Sequence, residues 1–555
     1  MTSASSKKTL GERIIHASFL VAAAHILLKF AGLIQVKFAT QYLDTSLYET
    51  IMVVAFTGVL NSLFLIGEEV IGPSFLTLFM QEKEEEGEKK AWDYANSLMS
   101  LQSVLLLIAV CTIVCFPDFY IRLFTSWTSE KNASQYFLLR RSLQILAPSL
   151  YFLSMGSTTY VLLNGYKKFF LAAFGDASTK ICIVLGLILG VHYLGLNERG
   201  LFFGILTGSV AKVLTHLWGL RGQLHFFRFS FHWKSPVMRA MFLLMLPLIA
   251  GILFAKVRDV FNNIYILTRI NQSGILMAND LGRKLFSSIQ WMVPYALQIA
   301  LFPFLCELVS KKDRAGLGKV LETSCRMLIA VFLPMSFCLV ALAKPIAVFI
   351  FAGGKTGVEI AALAGLSTGC YTLVLPAAAV ECVLMQGYFA DKRTVAVTLI
   401  GIFSSILSVL ISFVFIVYLK VDAVQALLAV SLGFVFSRII KSCILACYLK
   451  RNIELFAGKK TFLFLLKCFL VASLSGLVTW GVSQGMTVLM PDGIARSLQA
   501  GVMSISRLRI LLRLTVSGLA GAGVFLLGAK GMGIEEVYQG IQWGVEKLAR
   551  RKEKK

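Results

Sequence analysis

Charged side chains are scarce in this sequence, and acidic ones are the scarcest. Only 15% of the 555 residues are charged, whereas 57% are hydrophobic; soluble domains carry about 25% charged residues. Asp and Glu together number 30, against 54 Lys and Arg. This composition excludes an ordinary soluble domain and predicts a polytopic membrane protein.

Patterns typical of catalytic and metal sites are also missing. The 6 histidines show no HExxH-type spacing, and the 11 cysteines include no CxxC pair, so we predict neither a metal site nor a disulfide framework. The segment 353–357 (GGKTG) looks like a phosphate loop, but Phe349 stands where the first glycine of GxxxxGK[ST] belongs. We therefore expect no enzymatic activity and no cofactor, and without a nucleotide site any transport by this chain would have to use an ion gradient, the membrane potential or the substrate gradient.

Long hydrophobic runs make up most of the chain. About fourteen of them reach the length of about 20 residues that a helix needs to cross a bilayer. They lie at 14–39, 50–80, 95–117, 138–163, 169–194, 200–221, 238–268, 276–309, 320–350, 358–388, 394–419, 422–449, 461–484 and 507–529. We predict an all-α polytopic membrane protein.

The basic residues lie in short loops between these runs, and the Lys/Arg-rich loops alternate with poorer ones. An even number of spans places both termini on one side, and the basic loops identify that side as cytoplasmic. Basic loops of this kind lie beside anionic lipid, so the excess positive charge predicts membrane lipid as a partner and no nucleic acid.

Two pairs of similar segments indicate an internal repeat. Residues 72–94 resemble 301–323, and 164–174 resemble 386–397; chance likeness between helix ends is the alternative. A repeat of about six helices keeps its orientation, so we predict two parallel lobes. The predicted divisions are a first lobe (1–222), a second lobe (223–450), two extra helices (451–530) and an amphipathic basic cytoplasmic tail (531–555), which alternatively is solvated and packs on the last span.

Charged residues follow one face of two neighbouring runs in the middle of the chain. Ionised groups at membrane depth are costly and usually face a wet cavity or a partner charge. The pattern therefore predicts a polar central cavity for a charged substrate, and the alternative is structural pairing of Asp259 with Lys256 and of Asp280 with Arg283 or Lys284. The residues on these faces recur at helical spacing: Lys256, Arg258, Asp259 and Asn263 in the first run, and Asp280, Arg283, Lys284, Ser287, Gln290, Pro294 and Gln298 in the second.

Polar residues also mark the first two runs. Lys29 lies mid-run, one turn after His25, and Asn61 and Glu68 share one face of the second run, with Glu69 adjacent. We predict that Lys29 joins Lys256, Arg258, Arg283 and Lys284 in binding the substrate; snorkelling to the interface is the alternative for Lys29. Glu68 either pairs with Lys29 or binds and releases a proton, and Asn61, Asp259 and Asp280 complete the polar lining.

Several of these segments resemble the MurJ/MviN family of lipid II flippases, within the multidrug/oligosaccharidyl-lipid/polysaccharide exporter superfamily. The resemblance covers most of the chain. It is carried by 29–46, Gly67-Glu68, 280–313, and the segments FAGGKTG (351–357) and VLMQGYFADKRTVA (383–396). By this match, Lys284 (or Arg283) takes the position of the family's helix 8 arginine, and Glu68 that of its helix 2 glutamate. The chain departs from the family at Gly32-Leu33 and Leu63-Phe64, where the family has Arg-Asp and an arginine pair.

The resemblance implies two six-helix lobes and a groove for a lipid tail formed by the two extra helices. It also implies a transporter in the bacterial cytoplasmic (inner) membrane that flips lipid II, a polyprenyl-pyrophosphate-linked peptidoglycan precursor, by alternating access. Its partners would be the lipid-linked saccharide, membrane lipid and cell-wall synthesis proteins, and its role would be in cell-wall biogenesis and cell shape. The alternatives are another exporter of the superfamily, for a polysaccharide lipid or a drug, and a non-transporting scaffold.

Overall fold

The computed structural model describes residues 28, 30–270, 272–290, 294–391, 393–451, 453, 456, 458–501 and 504–537. The chain divides into two compact units, Met1–Leu276 and Met277–Lys555. Both are helical, and the only β pairing among the described residues is an isolated bridge between Gly353 and Thr356. The prediction of an all-α fold is confirmed.

The helices of the first unit coincide with the predicted hydrophobic runs to within a few residues at most ends. The predicted run 14–39 lies mostly outside the described residues, and its end forms α1 at 30–42. Within the second helix, the stretch Tyr48–Leu60 is π-helical. The remaining helices are α2 (Thr45–Glu85), α3 (Glu88–Cys115), α4 (Pro117–Phe124), α5 (Ala133–Gly165), α6 (Phe169–Tyr193), α7 (Glu198–Gly219) and α8 (Pro236–Val260).

In the second unit, the central predicted run at 276–309 is described as two helices, with residues 291–293 outside the description. A short helix, which was not predicted, lies between the last two long ones. The helices are α9 (Ile275–Gln290), α10 (Pro294–Ser310), α11 (Arg314–Phe351), α12 (Val358–Thr372), α13 (Leu375–Ala390), α14 (Thr394–Tyr418), α15 (Ala423–Lys450), α16 (Gly458–Leu489), α17 (Ile494–Ala500) and α18 (Arg507–Gly531).

Membrane-spanning helices account for most of both units. Among the described residues, 10 helices are long and apolar enough to cross a membrane, or 12 if each of two bent pairs forms one span. One of these pairs, α12 and α13, bends by 44° where Pro376 interrupts the backbone hydrogen bonds at the start of α13. The chain is a multi-pass membrane protein, while the predicted count of about fourteen spans is not confirmed.

Each unit has its own hydrophobic core. In the first unit, Trp92, Phe75 and Phe79 are buried between α2, α3 and α5. In the second, Tyr371 and Tyr388 are buried among residues of α9, α11 and α15. The predicted divisions into two lobes, two extra helices and a tail remain predictions. At the start of the predicted tail, Ile534 and Val537 are buried against α16; residues 538–555 lie outside the described part of the chain.

Glycines allow α6 and α7 to pack with their backbones in contact. Gly186 and Gly190 lie on α6, one turn apart, and Gly200 and Gly204 lie in the same spacing on α7. A Cβ atom placed on Gly190 would lie 2.6 Å from the Gly200 Cα atom, and one on Gly186 would lie 2.7 Å from the Gly200 carbonyl oxygen. Small residues at this spacing are how membrane helices approach closely.

Replacing Gly200 by alanine should therefore destabilise the first unit by about 1–3 kcal/mol, the usual cost of overpacking. The added Cβ would meet only backbone atoms, Gly190 C at 2.6 Å and Val191 N at 2.7 Å, which have no rotamer by which to move away. Gly518→Ala on α18 is the control, because a Cβ there meets nothing within 4 Å. Thermal unfolding of both variants in detergent measures the effect, and equal unfolding temperatures would contradict the packing argument.

Candidate functional site

The charged residues of α8 in the first unit form ion pairs, but with other partners than the Asp259–Lys256 pair that was the alternative to a polar cavity. The Lys256 Nζ atom lies 2.7 Å from a Glu69 carboxylate oxygen on α2. The Arg258 guanidinium donates to the Asp259 carboxylate from Nη2 at 2.8 Å and from Nε at 3.0 Å. The alternative pairing of Asp259 with Lys256 is therefore not the one observed. We call these four residues the α8 charged face.

This face keeps some solvent contact. The Glu69 side chain is 44% exposed and that of Asp259 is 31% exposed, whereas Lys256 and Arg258 retain 14% and 13%. Ion pairs with one exposed partner exchange easily, because water can replace the departing carboxylate. The two cations are thus held by carboxylates that lie partly at the surface.

Glu68 and its neighbour Glu69 interact with different residues. Its carboxylate interacts with the Lys212 ammonium, the Asp176 carboxylate and the Ser157 hydroxyl. Asn61, on the same helix, is partly exposed. Lys29 lies outside the described residues, so its pairing with Glu68 and its role in substrate binding remain predictions.

A buried lysine forms the centre of this second set. Lys212 on α7 is 1% exposed, and its Nζ atom lies 2.7 Å from an Asp176 carboxylate oxygen on α6. Its carbon chain packs over Gly156 of α5, where a Cβ atom would approach it to 2.8 Å, and its ammonium lies 5.1 Å from the centre of the Phe64 ring. We call Lys212, Asp176, His216 and Glu68 the Lys212 cluster.

His216 joins the cluster one turn after Lys212. It is fully buried. Its Nδ1 atom lies 2.9 Å from the Thr159 hydroxyl oxygen, and its Nε2 atom lies 3.1 Å from the Ala172 carbonyl oxygen. Both ring nitrogens are therefore satisfied by α5 and α6, so this histidine fixes the cluster in place.

Asp176 is the member of this cluster that the sequence predictions missed. It is a single acid inside an apolar run, and intramembrane carboxylates of this kind usually have a partner or a function. That signal was available in the sequence. Its partner was not, because Lys212 is 36 positions away and only the packing of α6 against α7 brings the two together.

In the second unit, α9 carries the predicted central charges. The Lys284 Nζ atom lies 2.6 Å from an Asp280 carboxylate oxygen, four residues earlier. Lys284 remains 26% exposed and Asp280 11% exposed, and Arg283 between them is partly buried. We call Asp280, Arg283 and Lys284 the α9 charged face.

Contacts of the neighbouring residues Asn279 and Gly282 with α12 hold α9 in position. The Tyr371 hydroxyl of α12 donates to the Asn279 side-chain oxygen at 3.0 Å, and both residues are buried. Gly282 lies so close to α12 that a Cβ atom there would meet the Ser367 Cβ atom at 2.7 Å. Asn279 and Gly282 thus fix α9 against α12. The same helix carries Asp280, Arg283 and Lys284.

A second buried ion cluster lies deeper in this unit and was not predicted. Glu381 on α13 is 4% exposed, and one of its oxygens lies 2.9 Å from Arg438 Nη1 and 2.8 Å from Lys441 Nζ, both on α15. Among the described residues, each unit therefore contains a partly exposed charged face and an ion cluster centred on a buried charge, Lys212 in the first and Glu381 in the second. Among the described residues, no group of three or more His, Cys, Asp or Glu is arranged to hold a metal ion.

Charged faces on bundled membrane helices are the arrangement expected of an integral membrane transporter. Residues 39–491 match the model of the lipid II flippase MurJ family. The chain belongs to this family.

Individual proteins are also similar to this chain, in sequence or in fold. A probable lipid II flippase MurJ of Bdellovibrio bacteriovorus is 22% identical over 396 residues, which cover 70% of this chain and 74% of that protein. A solved structure of lipid II flippase MurJ in an inward closed conformation superimposes with a TM-score of 0.68 at 19% identity, covering 94% of this chain and 100% of that one. An inward-facing multidrug resistance MATE family transporter of the MOP superfamily gives a TM-score of 0.64 at 12% identity, covering 77% and 94%. These structural likenesses establish the shared fold.

Proposed function

We propose that this protein flips lipid II, a lipid-linked saccharide, across the bacterial cytoplasmic membrane by alternating access. The observation that carries the proposal is the match to the lipid II flippase family over 39–491, which includes the helices that bear both charged faces. The likeness to MATE-type transporters supports the fold but not a drug substrate, since the charged faces carry four cations, Lys256, Arg258, Arg283 and Lys284.

The cations of the two charged faces are proposed to bind the pyrophosphate of the substrate. Charge-assisted bonds from Arg or Lys to phosphate are about twice as strong as neutral hydrogen bonds. They gain further strength where water is excluded. Each cation of a described ion pair is held by a carboxylate that an anionic substrate can replace: Glu69 for Lys256, Asp259 for Arg258 and Asp280 for Lys284. Membrane lipid and cell-wall synthesis proteins are the further partners that this role implies.

Depletion of the protein in a bacterial host tests this function in the cell. Lipid II should then accumulate in the inner leaflet and remain inaccessible to an externally added enzyme or antibiotic that recognises its headgroup. Accumulation of a different lipid-linked saccharide would show that the protein carries another precursor, and an unchanged lipid II distribution would contradict the proposal.

We further propose that both termini face the cytoplasm, since the Lys/Arg-rich loops alternate along the chain. In this orientation the loop after α10, which contains Lys311, Lys312 and Arg314, is cytoplasmic. A single cysteine placed at Lys312, in a chain whose own cysteines are replaced, should react with a membrane-impermeant maleimide only after the cells are opened. A cysteine at Lys420 is the control and should react in intact cells, whereas labelling at Lys312 in intact cells would contradict the orientation.

Glu68 is proposed to act as a switch, because it interacts with both signs of charge in the Lys212 cluster. Glu68→Gln should therefore reduce the flipping rate about tenfold or more, whereas Glu69→Gln should have a smaller effect, since Glu69 is 44% exposed and water can replace it beside Lys256. Lipid II flipping by the two purified variants in liposomes measures the difference. Equal, mild losses would show that both carboxylates are structural.

A further inference from the structure

A pocket of about 1500 Å³ opens at one end of α16 and α18, and none of the residues of the two charged faces lines it. Its walls come from α11, α16, α17 and α18, all in the second unit. Five cations line it, whereas Asp492 is its single acid: Lys344, Arg496, Arg507, Arg509 and Arg513. The pocket is therefore strongly positive.

The one acid is already neutralised by one of these cations. Asp492 and Arg513 are both buried, and the Arg513 Nη1 atom donates to the Asp492 carboxylate at 2.7 Å. The same carboxylate accepts from the Ile494 backbone N–H at 3.0 Å, and the Asp492 carbonyl accepts from the Ser506 N–H at 2.9 Å. These bonds hold the segment between α16 and α18 in a defined conformation, and this segment forms one wall of the pocket.

A glycine makes this wall possible. Gly493 has a φ of +85°, and a Cβ atom there would lie 1.7 Å from the Ser504 carbonyl oxygen. Only glycine combines this backbone conformation with such a close approach. The wall is thus a defined structure, and it presents Arg496, Arg507 and Arg509 at its rim, where all three are exposed.

Of the four other cations that line the pocket, two form hydrogen bonds within the described part of the chain and two do not. Arg507 donates to the Ala352 carbonyl and Arg509 to the Pro491 carbonyl. Lys344 and Arg496, by contrast, are exposed and form neither an ion pair nor a side-chain hydrogen bond within the part of the chain that the structure describes. Uncompensated cations gathered in a concave site bind phosphate groups well.

The other side of the pocket is apolar. Phe337 and Val340 of α11 and Leu477 and Trp480 of α16 line it, and Trp480 is 54% exposed. Tryptophan is enriched where headgroups meet the hydrocarbon core. Cations at the end of the membrane helices, with apolar side chains one to three turns deeper, match a ligand that has an anionic head and an acyl chain.

We propose that this pocket binds the phosphate-bearing headgroup of an anionic phospholipid of the surrounding membrane, with an acyl chain against Trp480 and Leu477. The bound phospholipid is a resident partner of the second unit and is separate from the transported substrate. The lining shares no residue with either charged face, so the binding of a phospholipid here can be tested without measuring the flipped lipid.

Binding of phosphatidylglycerol to the purified full-length protein, counted by native mass spectrometry during titration in mixed micelles, tests this proposal. The test variant is K344Q/R496Q, which removes the two cations that have no structural bonds. The matched control is K355Q/K420Q, which removes two exposed cations elsewhere in the same unit. Thermal unfolding of both variants verifies that each is folded.

Each Lys or Arg near a membrane surface contributes about 1 kcal/mol to the binding of anionic lipid. The test variant should therefore bind phosphatidylglycerol about 30-fold more weakly than the wild type, whereas the control should bind as the wild type does. Phosphatidylcholine should bind all three proteins equally weakly. The experiment measures phospholipid binding and not lipid II flipping, so a negative result would not contradict the proposed function.

Three results would overturn the proposal. Equal phosphatidylglycerol binding by the test variant and the wild type would show that the pocket does not hold the headgroup. An equal loss in the control would show that only overall charge matters. Displacement of bound phosphatidylglycerol by millimolar inorganic phosphate would show that the pocket takes free oxyanions instead of a lipid.

Discussion

Lys212→Met should destabilise the first unit by about 1–3 kcal/mol, because it removes the buried partner of an ion pair whose other member, Asp176, keeps 32% of its side chain exposed. Lys212 is 1% exposed and its ammonium lies 2.7 Å from Asp176. The substitution removes the closest cation of Asp176 and also the cation beside Glu68. Stabilities of folded proteins are about 5–15 kcal/mol, so a loss of this size is measurable.

A double substitution separates the charge effect from the packing effect. In D176N/K212M the uncompensated carboxylate is gone, so most of the stability should return. Lys256→Met is the matched control, because both side chains of that pair are more exposed: Lys256 keeps 14% against 2% for Lys212, and Glu69 keeps 44% against 32% for Asp176. Thermal unfolding in detergent compares the three variants. An equal loss for Lys212→Met and Lys256→Met, or no recovery in the double variant, would contradict a buried ion pair.

Replacement of Arg283 or Lys284 by alanine should reduce lipid II flipping about 10- to 100-fold while the protein remains folded and inserted. A hydrogen bond to a charged group contributes about 1.5–3 kcal/mol, and about 1.4 kcal/mol corresponds to a factor of ten. Arg283→Lys should retain part of the activity, because it keeps the charge and loses the bidentate geometry. Lys311→Ala is the control, since Lys311 forms the same type of i,i+4 pair, with Glu307, in an exposed position.

The Asp280–Lys284 pair at 2.6 Å provides a structural alternative to substrate binding. If Lys284 only neutralises Asp280, then D280N/K284Q should recover the flipping activity that either single substitution removes. If Lys284 binds the substrate, the double variant should remain as inactive as Lys284→Gln. Rescue in the double variant would therefore contradict the substrate-binding role, and rates measured in liposomes decide between the two.

Hydrophobic run length predicted most helix positions, because the bilayer imposes one length on every span. Run length did not predict the bend between α12 and α13, because both helices are apolar and one hydrophobic run continues across them. The Asp280–Lys284 pair was predictable as one of two choices, because residues four apart on a helix are neighbours. For the same reason, the sequence alone leaves Arg283 and Lys284 as alternatives.

Pairs between distant helices could not be predicted. Lys256 pairs with Glu69, 187 positions earlier, instead of with Asp259, which shares its helix. Helical spacing offers local partners only, whereas the packing of α8 against α2 supplies the observed one. Asp176 and Glu381 were visible as single acids in apolar runs, but their partners Lys212 and Arg438 depend on helix packing in the same way.

The most direct test of the proposed function is flipping by the purified protein in liposomes. Fluorescent lipid II is present in both leaflets, and a membrane-impermeant reagent removes the signal that reaches the outer leaflet. We predict that liposomes with the wild-type protein lose nearly all of the signal, whereas protein-free liposomes lose only about half; liposomes with Lys284→Ala should lose the inner-leaflet signal about 10- to 100-fold more slowly than the wild type. Equal loss in wild-type and protein-free liposomes, with the protein shown to be folded and inserted, would contradict the conclusion that this protein flips lipid II.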